Sequence, residues 1–314
     1  MKKQLLAAAV AATMASVASA DISITGAAKV NYTHADYDDA STADTNAFAQ
    51  DLDIKIKGTS GDTTVVLNLG GIDSTGVDDI NVEDNYVSTK IGDVSLKVGA
   101  WDNGNNALRA SSRGDNKFSA STSFGPVSVT YDASGDAGDD TVKIGVTASD
   151  ITATYKGVDG GEDVSVKGSF SGINASYLAL QKDAANSDRS VWELSGSMND
   201  IGVKVSQASA DSSATIDGDT WMGDYEGASG AYALSAGQDV TAIELSTSIA
   251  GNTVKFRNVD IDGVAGEDTS FNKVIVTRPL ANGTTFEATY TDLDDKGSTT
   301  TDSAVLDLEL AVKF

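Results

Sequence analysis

Few side chains in this sequence could carry out covalent chemistry. His34 is the single histidine and cysteine is absent, which excludes a thiolate nucleophile, a disulfide and a histidine-rich metal centre. His34 falls in a polar stretch, 34–46, where a solvated imidazole is a better reading than a general base, and no Ser-His-Asp arrangement is suggested. The Gly-rich piece at 157–161 lacks the Lys-Ser/Thr ending of a phosphate-binding loop. Asp36, Asp38 and Asp39, and again Asp292, Asp294 and Asp295, offer hard oxygen ligands for Ca²⁺ or Mg²⁺, without the spacing of an EF-hand. No organic cofactor is expected, and a weakly held loop cation is the most these carboxylates imply. The basic residues share a different property. Lys29, Lys55, Lys57, Lys97, Lys117, Lys143, Lys156, Lys167, Lys204, Lys255 and Arg257 each stand one position out of step with a run of alternating apolar residues.

Those runs are the dominant signal of the chain. Ile22, Ile24, Ala28, Val30 and Tyr32 share one parity, with Ser23, Thr25, Lys29 and Asn31 on the other. Leu52, Ile54 and Ile56 alternate with Asp51, Asp53, Lys55 and Lys57, and the pattern recurs through Val94-Leu96-Val98, Val142-Ile144-Val146, Ile243-Leu245 and Leu306-Leu308-Leu310. A period of 2 is that of a β-strand with one apolar face. Tight-turn residues such as Gly92-Asp93, Gly125-Pro126, Asn199-Asp200 and Gly251-Asn252 join some strands. Long polar segments at 34–46, 102–115, 208–227, 260–269 and 292–302 join others. Short and long connections alternate, as in an up-and-down antiparallel meander. The pattern counts to about eighteen strands, with 228–235 assigned to a long loop because a strand there would break the parity. Between Val82 and Val87 the apolar parity changes, which predicts a β-bulge.

Two architectures satisfy such alternation: a soluble β-sandwich and an antiparallel transmembrane β-barrel. So many consecutive strands would give a sandwich long edges to protect. The polar parity is rich in Ser, Thr, Asn and Lys, as a water-filled lumen requires. Aromatic residues such as Tyr32, Phe48, Phe124, Phe170 and Phe314 sit near strand ends on the apolar parity, as in interfacial girdles. No fixed short repeat indicates a solenoid. The expected fold is therefore all-β, a barrel of 16–18 strands with short turns at one end and longer loops at the other.

The first twenty residues have the form of a secretory signal: Met1-Lys2-Lys3, an apolar run from Leu5 to Val17, and Ala18-Ser19-Ala20 as a cleavage site. This predicts export and a mature chain of 21–314. The net charge is −24; losing Lys2 and Lys3 leaves 20 basic against 46 acidic residues, or −26. A nucleic-acid partner is not expected of so acidic a chain.

The last segment reads Ala304-Val305-Leu306-Asp307-Leu308-Glu309-Leu310-Ala311-Val312-Lys313-Phe314. It resembles the C-terminal strand recognised by the outer-membrane barrel assembly machinery. Together with the preceding hairpin, from Lys273 through Asn282-Gly283 to Tyr290, it resembles the C-terminal repeat of Gram-negative general diffusion porins, particularly the alphaproteobacterial type. The resemblance covers 21–314 as pattern and the termini as motif. It implies an outer-membrane homotrimer, in contact with lipid and lipopolysaccharide, that forms a water-filled channel for passive diffusion of small hydrophilic solutes and ions, with no enzymatic activity. Family members usually have sixteen strands, so a count of eighteen implies an extra hairpin, for which 163–181 is the candidate. The alternative is a structural or adhesive barrel with a filled interior, against which stands the lack of any plug-sized insert.

In the resembled porins the third long loop folds into the barrel and narrows it. By count this is 102–115, carrying Asp102, Arg109, Arg113 and Asp115 as candidate constriction residues. The loop is short beside the family pattern. The basic residues at strand positions become a candidate lumen wall, because Lys or Arg on the lipid face costs about 2–4 kcal/mol at the midplane.

Overall fold

The computed structural model describes residues 21–38, 43–71, 81–102, 108, 113–134, 140–158, 160–214, 237–262, 268–295 and 303–314. The predicted leader, 1–20, and the segment 228–235 lie outside them. Strands run through the first half as β1 (Asp21–Tyr37), β2 (Thr45–Ser60), β3 (Thr63–Gly70), β4 (Asn81–Ile91), β5 (Val94–Asp102), β6 (Arg113–Phe124), β7 (Val127–Ser134), β8 (Thr141–Ala148) and β9 (Ile151–Val158). They continue as β10 (Gly161–Phe170), β11 (Ile173–Lys182), β12 (Arg189–Met198), β13 (Ile201–Ala210), β14 (Asp239–Ile249), β15 (Asn252–Asp262), β16 (Thr269–Pro279), β17 (Thr284–Asp295) and β18 (Ser303–Lys313). Each pairs antiparallel with its sequence neighbours, and β18 returns to β1, closing an 18-stranded barrel. This takes the upper end of the 16–18 expected. The segment 163–181 falls in β10 and β11, an ordinary hairpin of the wall.

The closing seam is held by its last residue. Phe314 N–H donates to the Gly26 carbonyl at 3.0 Å, and Gly26 N–H returns the bond to the Phe314 carbonyl at 2.8 Å. A Cβ on Gly26 would lie 2.5 Å from Phe314 Cζ and 2.7 Å from the Asp53 carbonyl oxygen. Glycine is therefore what lets the terminal ring lie across β1. At the turn end, Asn199 and Asp200 both have positive φ, 51° and 66°, the backbone that a two-residue hairpin turn of the twist-matched type demands.

The two faces differ as the alternation predicts. Large apolar side chains point outward and remain exposed, among them Ile24, Phe48, Phe124, Val146, Ile151, Phe170, Met198 and Leu310. An exposed apolar belt encircling a closed barrel is the surface of a membrane-spanning protein. Rings gather near the strand ends, where Tyr32 and Phe48 meet at 4.9 Å between centroids.

Three departures from simple alternation have local causes. The parity change in β4 is a bulge: the β3–β4 register shifts at Asn68/Leu69, and Glu83 turns back to accept a 2.6 Å hydrogen bond from Asn68 Nδ2. A second irregularity separates Gly99 from Trp101 against β6. Gly99 has φ 140°, and a Cβ there would strike the Asn85 carbonyl and the Tyr86 backbone. The first loop is shorter than the sequence suggests, because β1 continues to Tyr37. His34 thus lies on a strand rather than in a loop, with Nδ1 3.0 Å from Asn46 Oδ1.

The seam gives a direct test. Gly26→Val should destabilise the barrel by about 1–3 kcal/mol through overpacking against Phe314, measured by reversible unfolding in detergent or lipid. Ala28→Val, on the same face two residues away, should have a smaller effect. Equal effects would contradict the close packing of Phe314 on Gly26.

Candidate functional site

The lumen is divided by burial into two unlike walls. From β11 to β17, inward positions near the loop end are apolar and buried: Leu180, Val191, Ala208, Val240, Ala242, Val259, Ile261 and Phe271 form one cluster. They follow the same parity as the polar inward residues of their strands. Val191, for instance, precedes Glu193 and Ser195 on the inner side of β12, and register places it opposite Leu178 and Ala208. The inner face, which the sequence presents as small and polar, is thus apolar along this arc. The signal was present in the runs Tyr177-Leu178-Ala179-Leu180 and Val240-Thr241-Ala242, where apolar residues occupy the parity otherwise given to Ser and Lys.

Leu108 completes this cluster. It belongs to the connection between β5 and β6, yet it is fully buried against side chains of strands on the far side of the ring. Arg189 Nη1 of β12 donates to the Leu108 carbonyl at 3.2 Å. At this residue, the third long connection enters the barrel and docks on the opposite wall. Apolar burial supplies the attraction: a fully buried leucine contributes about 1.5–3 kcal/mol relative to its exposed state.

The other wall, β2 to β10, carries most of the predicted basic residues. Lys55, Lys57, Lys143 and Lys167 face the lumen and are exposed, and Lys29 faces it beside Asp51 at 3.6 Å. Lys143 and Lys156 stand directly opposite one another on β8 and β9, and Asp163 of β10 follows Lys156 in the same row. Lys97 and Lys117 are held differently. Lys97 Nζ lies 3.8 Å from the Tyr86 ring centroid and 4.3 Å from that of Trp101. Lys117 Nζ lies 5.0 Å from the Trp101 centroid and donates to its carbonyl at 3.1 Å. Each such ammonium–ring contact contributes about 0.5–2 kcal/mol depending on its exposure to water. Tyr86 and Trp101 lie on the inward parity of β4 and β5, that of Ser88 and Lys97, and so take no part in a lipid-facing girdle.

The remaining basic residues are less accessible. Lys204 of β13 lies 3.9 Å from Glu193. Lys255 is partly buried on β15, and Arg257 is buried in a 2.6 Å ion pair with Glu244. Arg257 is thus a cross-strand tie within the wall. Removing one partner of such a pair costs about 3–5 kcal/mol by stranding the other charge. Lys90, Arg189 and Lys273 also occupy inward positions and were missed in the sequence; Lys273 is fully buried opposite Arg257.

Of the candidate constriction residues, Asp102 and Asp115 are exposed at the loop ends of β5 and β6. Arg113 pairs through its backbone with Asp102. Arg109 lies outside the described residues. Carboxylates line the β2–β4 part of the wall: Asp51, Asp53, Glu83 and Asp84 all face inward. Among the described residues no group of His, Cys, Asp or Glu has the arrangement of a metal site.

The barrel resembles solved porin structures. The crystal structure of Pseudomonas aeruginosa OccK2 (OpdF) in complex with glucuronate matches with a TM-score of 0.69 at 10% identity, over 94% of this chain and 98% of that one. Acinetobacter baumannii OccAB4 matches with a TM-score of 0.68 at 10% identity, over 94% and 98%. The anion-selective porin from Comamonas acidovorans matches with a TM-score of 0.55 at 12% identity, over 94% and 100%. This chain has a porin-type fold. At these identities the likeness is one of fold, and no protein-family model and no curated protein matches the sequence.

The absence of cysteine makes the docking in this porin-type barrel directly measurable. Leu108→Cys should react slowly with a membrane-impermeant thiol reagent in the folded barrel, and Lys143→Cys should react fast. Equal labelling rates would show that Leu108 is not buried in the lumen.

Proposed function

We propose that this chain is an outer-membrane porin, a water-filled channel for passive diffusion of small hydrophilic solutes and ions. The observation that carries the reading is the exposed, lysine-bearing inner face of β2–β10 in a closed 18-stranded barrel. Barrels of this size leave an aqueous channel unless something fills them. The apolar cluster under Leu108 fills part of the loop end on the β11–β17 side, so the path runs against the lysine wall. Sorting of solutes then needs only width and charge along that wall.

The same cluster favours one rival, a barrel whose interior is closed and whose role is structural or adhesive. Conductance separates the two. Protein refolded into planar bilayers should give discrete steps of ionic current, whereas a folded barrel that never conducts would establish the rival.

Weak anion preference is part of the reading. The lysines of β8–β10 face the passage, while carboxylates concentrate at β2–β4 and in the acidic loops. Asp102, Arg109, Arg113 and Asp115 would set the field at the narrowing beside Leu108. Lys143→Glu with Lys156→Glu should move the reversal potential in a salt gradient toward cation preference; an unchanged potential would remove the basic wall from the account.

Several further features belong to this reading. Residues 1–20 would direct export to the periplasm, and the strand ending at Phe314 would be recognised by the barrel assembly machinery. A homotrimer in a lipopolysaccharide-bearing outer membrane, of the alphaproteobacterial type, follows from the resemblance of the C-terminal hairpin. The acidic loop residues would bind Ca²⁺ or Mg²⁺ weakly and bridge lipopolysaccharide phosphates. No enzymatic activity and no resident cofactor enter the proposal.

A further inference from the structure

A cavity of about 330 Å³ opens on the lumen wall at the turn end of β9–β12. It lies away from both the Leu108 cluster and the row formed by Lys143 and Lys156. Its charged groups are Lys167, Glu193 and Asp150 of the β8–β9 turn, and the first two are set out by register. Lys167 of β10 pairs with Ser176 of β11, and Ser176 pairs with Glu193 of β12, so the three form one cross-strand row on the inner face. Ser169, Asn174 and Ser195 form the parallel row two residues nearer the turns. Neighbouring strands lie about 4.8 Å apart, so the Lys167 and Glu193 backbones stand about 10 Å apart with only a serine between them.

The resulting site is dipolar. The Lys167 ammonium stands at one flank and the Glu193 carboxylate at the other, Asp150 lies at the turn beside β10, and the floor consists of short hydroxyl and amide side chains. Lys167 is exposed. Glu193 is oriented from behind, where its Oε2 accepts from Ser206 at 3.3 Å and lies 3.9 Å from Lys204. Those contacts hold the carboxylate on the far side of the cavity from Lys167. A simple anion would meet Lys167 favourably and the carboxylates of Glu193 and Asp150 unfavourably, and a simple cation would meet those carboxylates favourably but Lys167, and Lys204 behind Glu193, unfavourably. A small zwitterion meets both favourably, its carboxylate toward Lys167 and its ammonium toward Glu193. Ser176 and Asn174 can then serve its remaining polar atoms.

We propose that this cavity is a binding subsite for small zwitterionic solutes of the α-amino-acid type, placed near the turn-end exit of the channel. The inference rests on the channel reading and specifies one solute class that the passage retains. Binding here is weak enough for release because the cavity is open to the lumen.

L-Alanine is the test solute, with propionate and ethylamine as its single-charge counterparts. In single-channel recordings, L-alanine should interrupt the ionic current in a saturable manner, and neither counterpart should match it at equal concentration. Lys167→Gln and Glu193→Gln should each raise the half-saturating concentration of alanine roughly tenfold, the loss expected of one charge-assisted hydrogen bond. The charge-exchanged pair Lys167→Glu with Glu193→Lys should recover part of the binding, which guards against a folding defect in either single variant. Calorimetric titration of L-alanine into the detergent-folded barrel reads the same site without requiring conduction. Interruption by propionate as strong as by alanine, or alanine binding indifferent to both substitutions, would overturn the inference. A barrel that conducts but neither binds alanine nor is interrupted by it would overturn this inference alone. One that binds alanine but does not conduct would overturn the channel reading alone.

Discussion

The structure depends on the closed ring of backbone hydrogen bonds. Inside hydrocarbon an unpaired N–H or C=O costs several kcal/mol, so a sheet can cross a membrane only if its first and last strands meet. Here that meeting is made by β1 and β18 over the register from Ala27–Lys313 to Tyr37–Ser303, and it is finished by the reciprocal bonds of Gly26 and Phe314. Once the ring is closed, each strand has one face for lipid and one for the interior. Everything else follows from which residue occupies which parity.

Charge sorting is the first consequence. Lysines that would be costly on the outer face line the inner one, and their local setting differs along the wall. Lys97 and Lys117 are immobilised over Tyr86 and Trp101, whereas Lys143 and Lys167 project into open space. Net charge is consequently a poor guide to what the passage favours. The overall −24 is carried largely by loop and rim carboxylates, while the β8–β10 wall is basic. The second consequence is that an inward parity can also build a core. The cluster receiving Leu108 uses the same inward positions as the lysines, on the other side of the ring, and converts a symmetrical tube into an eccentric passage.

Alternation made the fold class, the inward placement of the lysines and most turns readable from the sequence, because side-chain direction in a strand is a strictly local property. The bulge in β4 was readable for the same reason, as a break in parity between Val82 and Val87. What was not readable depends on contacts across the ring. The inward parity of Leu180 is visible in its strand, but its burial against Leu108, a loop residue far away in sequence, is not. Arg257 and Lys143 look alike as strand-borne cations, but only Arg257 has Glu244 opposite it in register. The loop boundary near His34 was misjudged because β1 and β2 pair well beyond the end of the apolar run.

The central claim is that water and small solutes pass along the β2–β10 side of this barrel. Osmotic swelling of vesicles containing the refolded protein tests it most directly, with β-structure and folding verified in the same preparation. The account predicts rapid swelling in isosmotic solutions of small sugars and amino acids, slowing steeply as solute size increases. Vesicles with fully folded barrel that swell no faster than protein-free vesicles would contradict it.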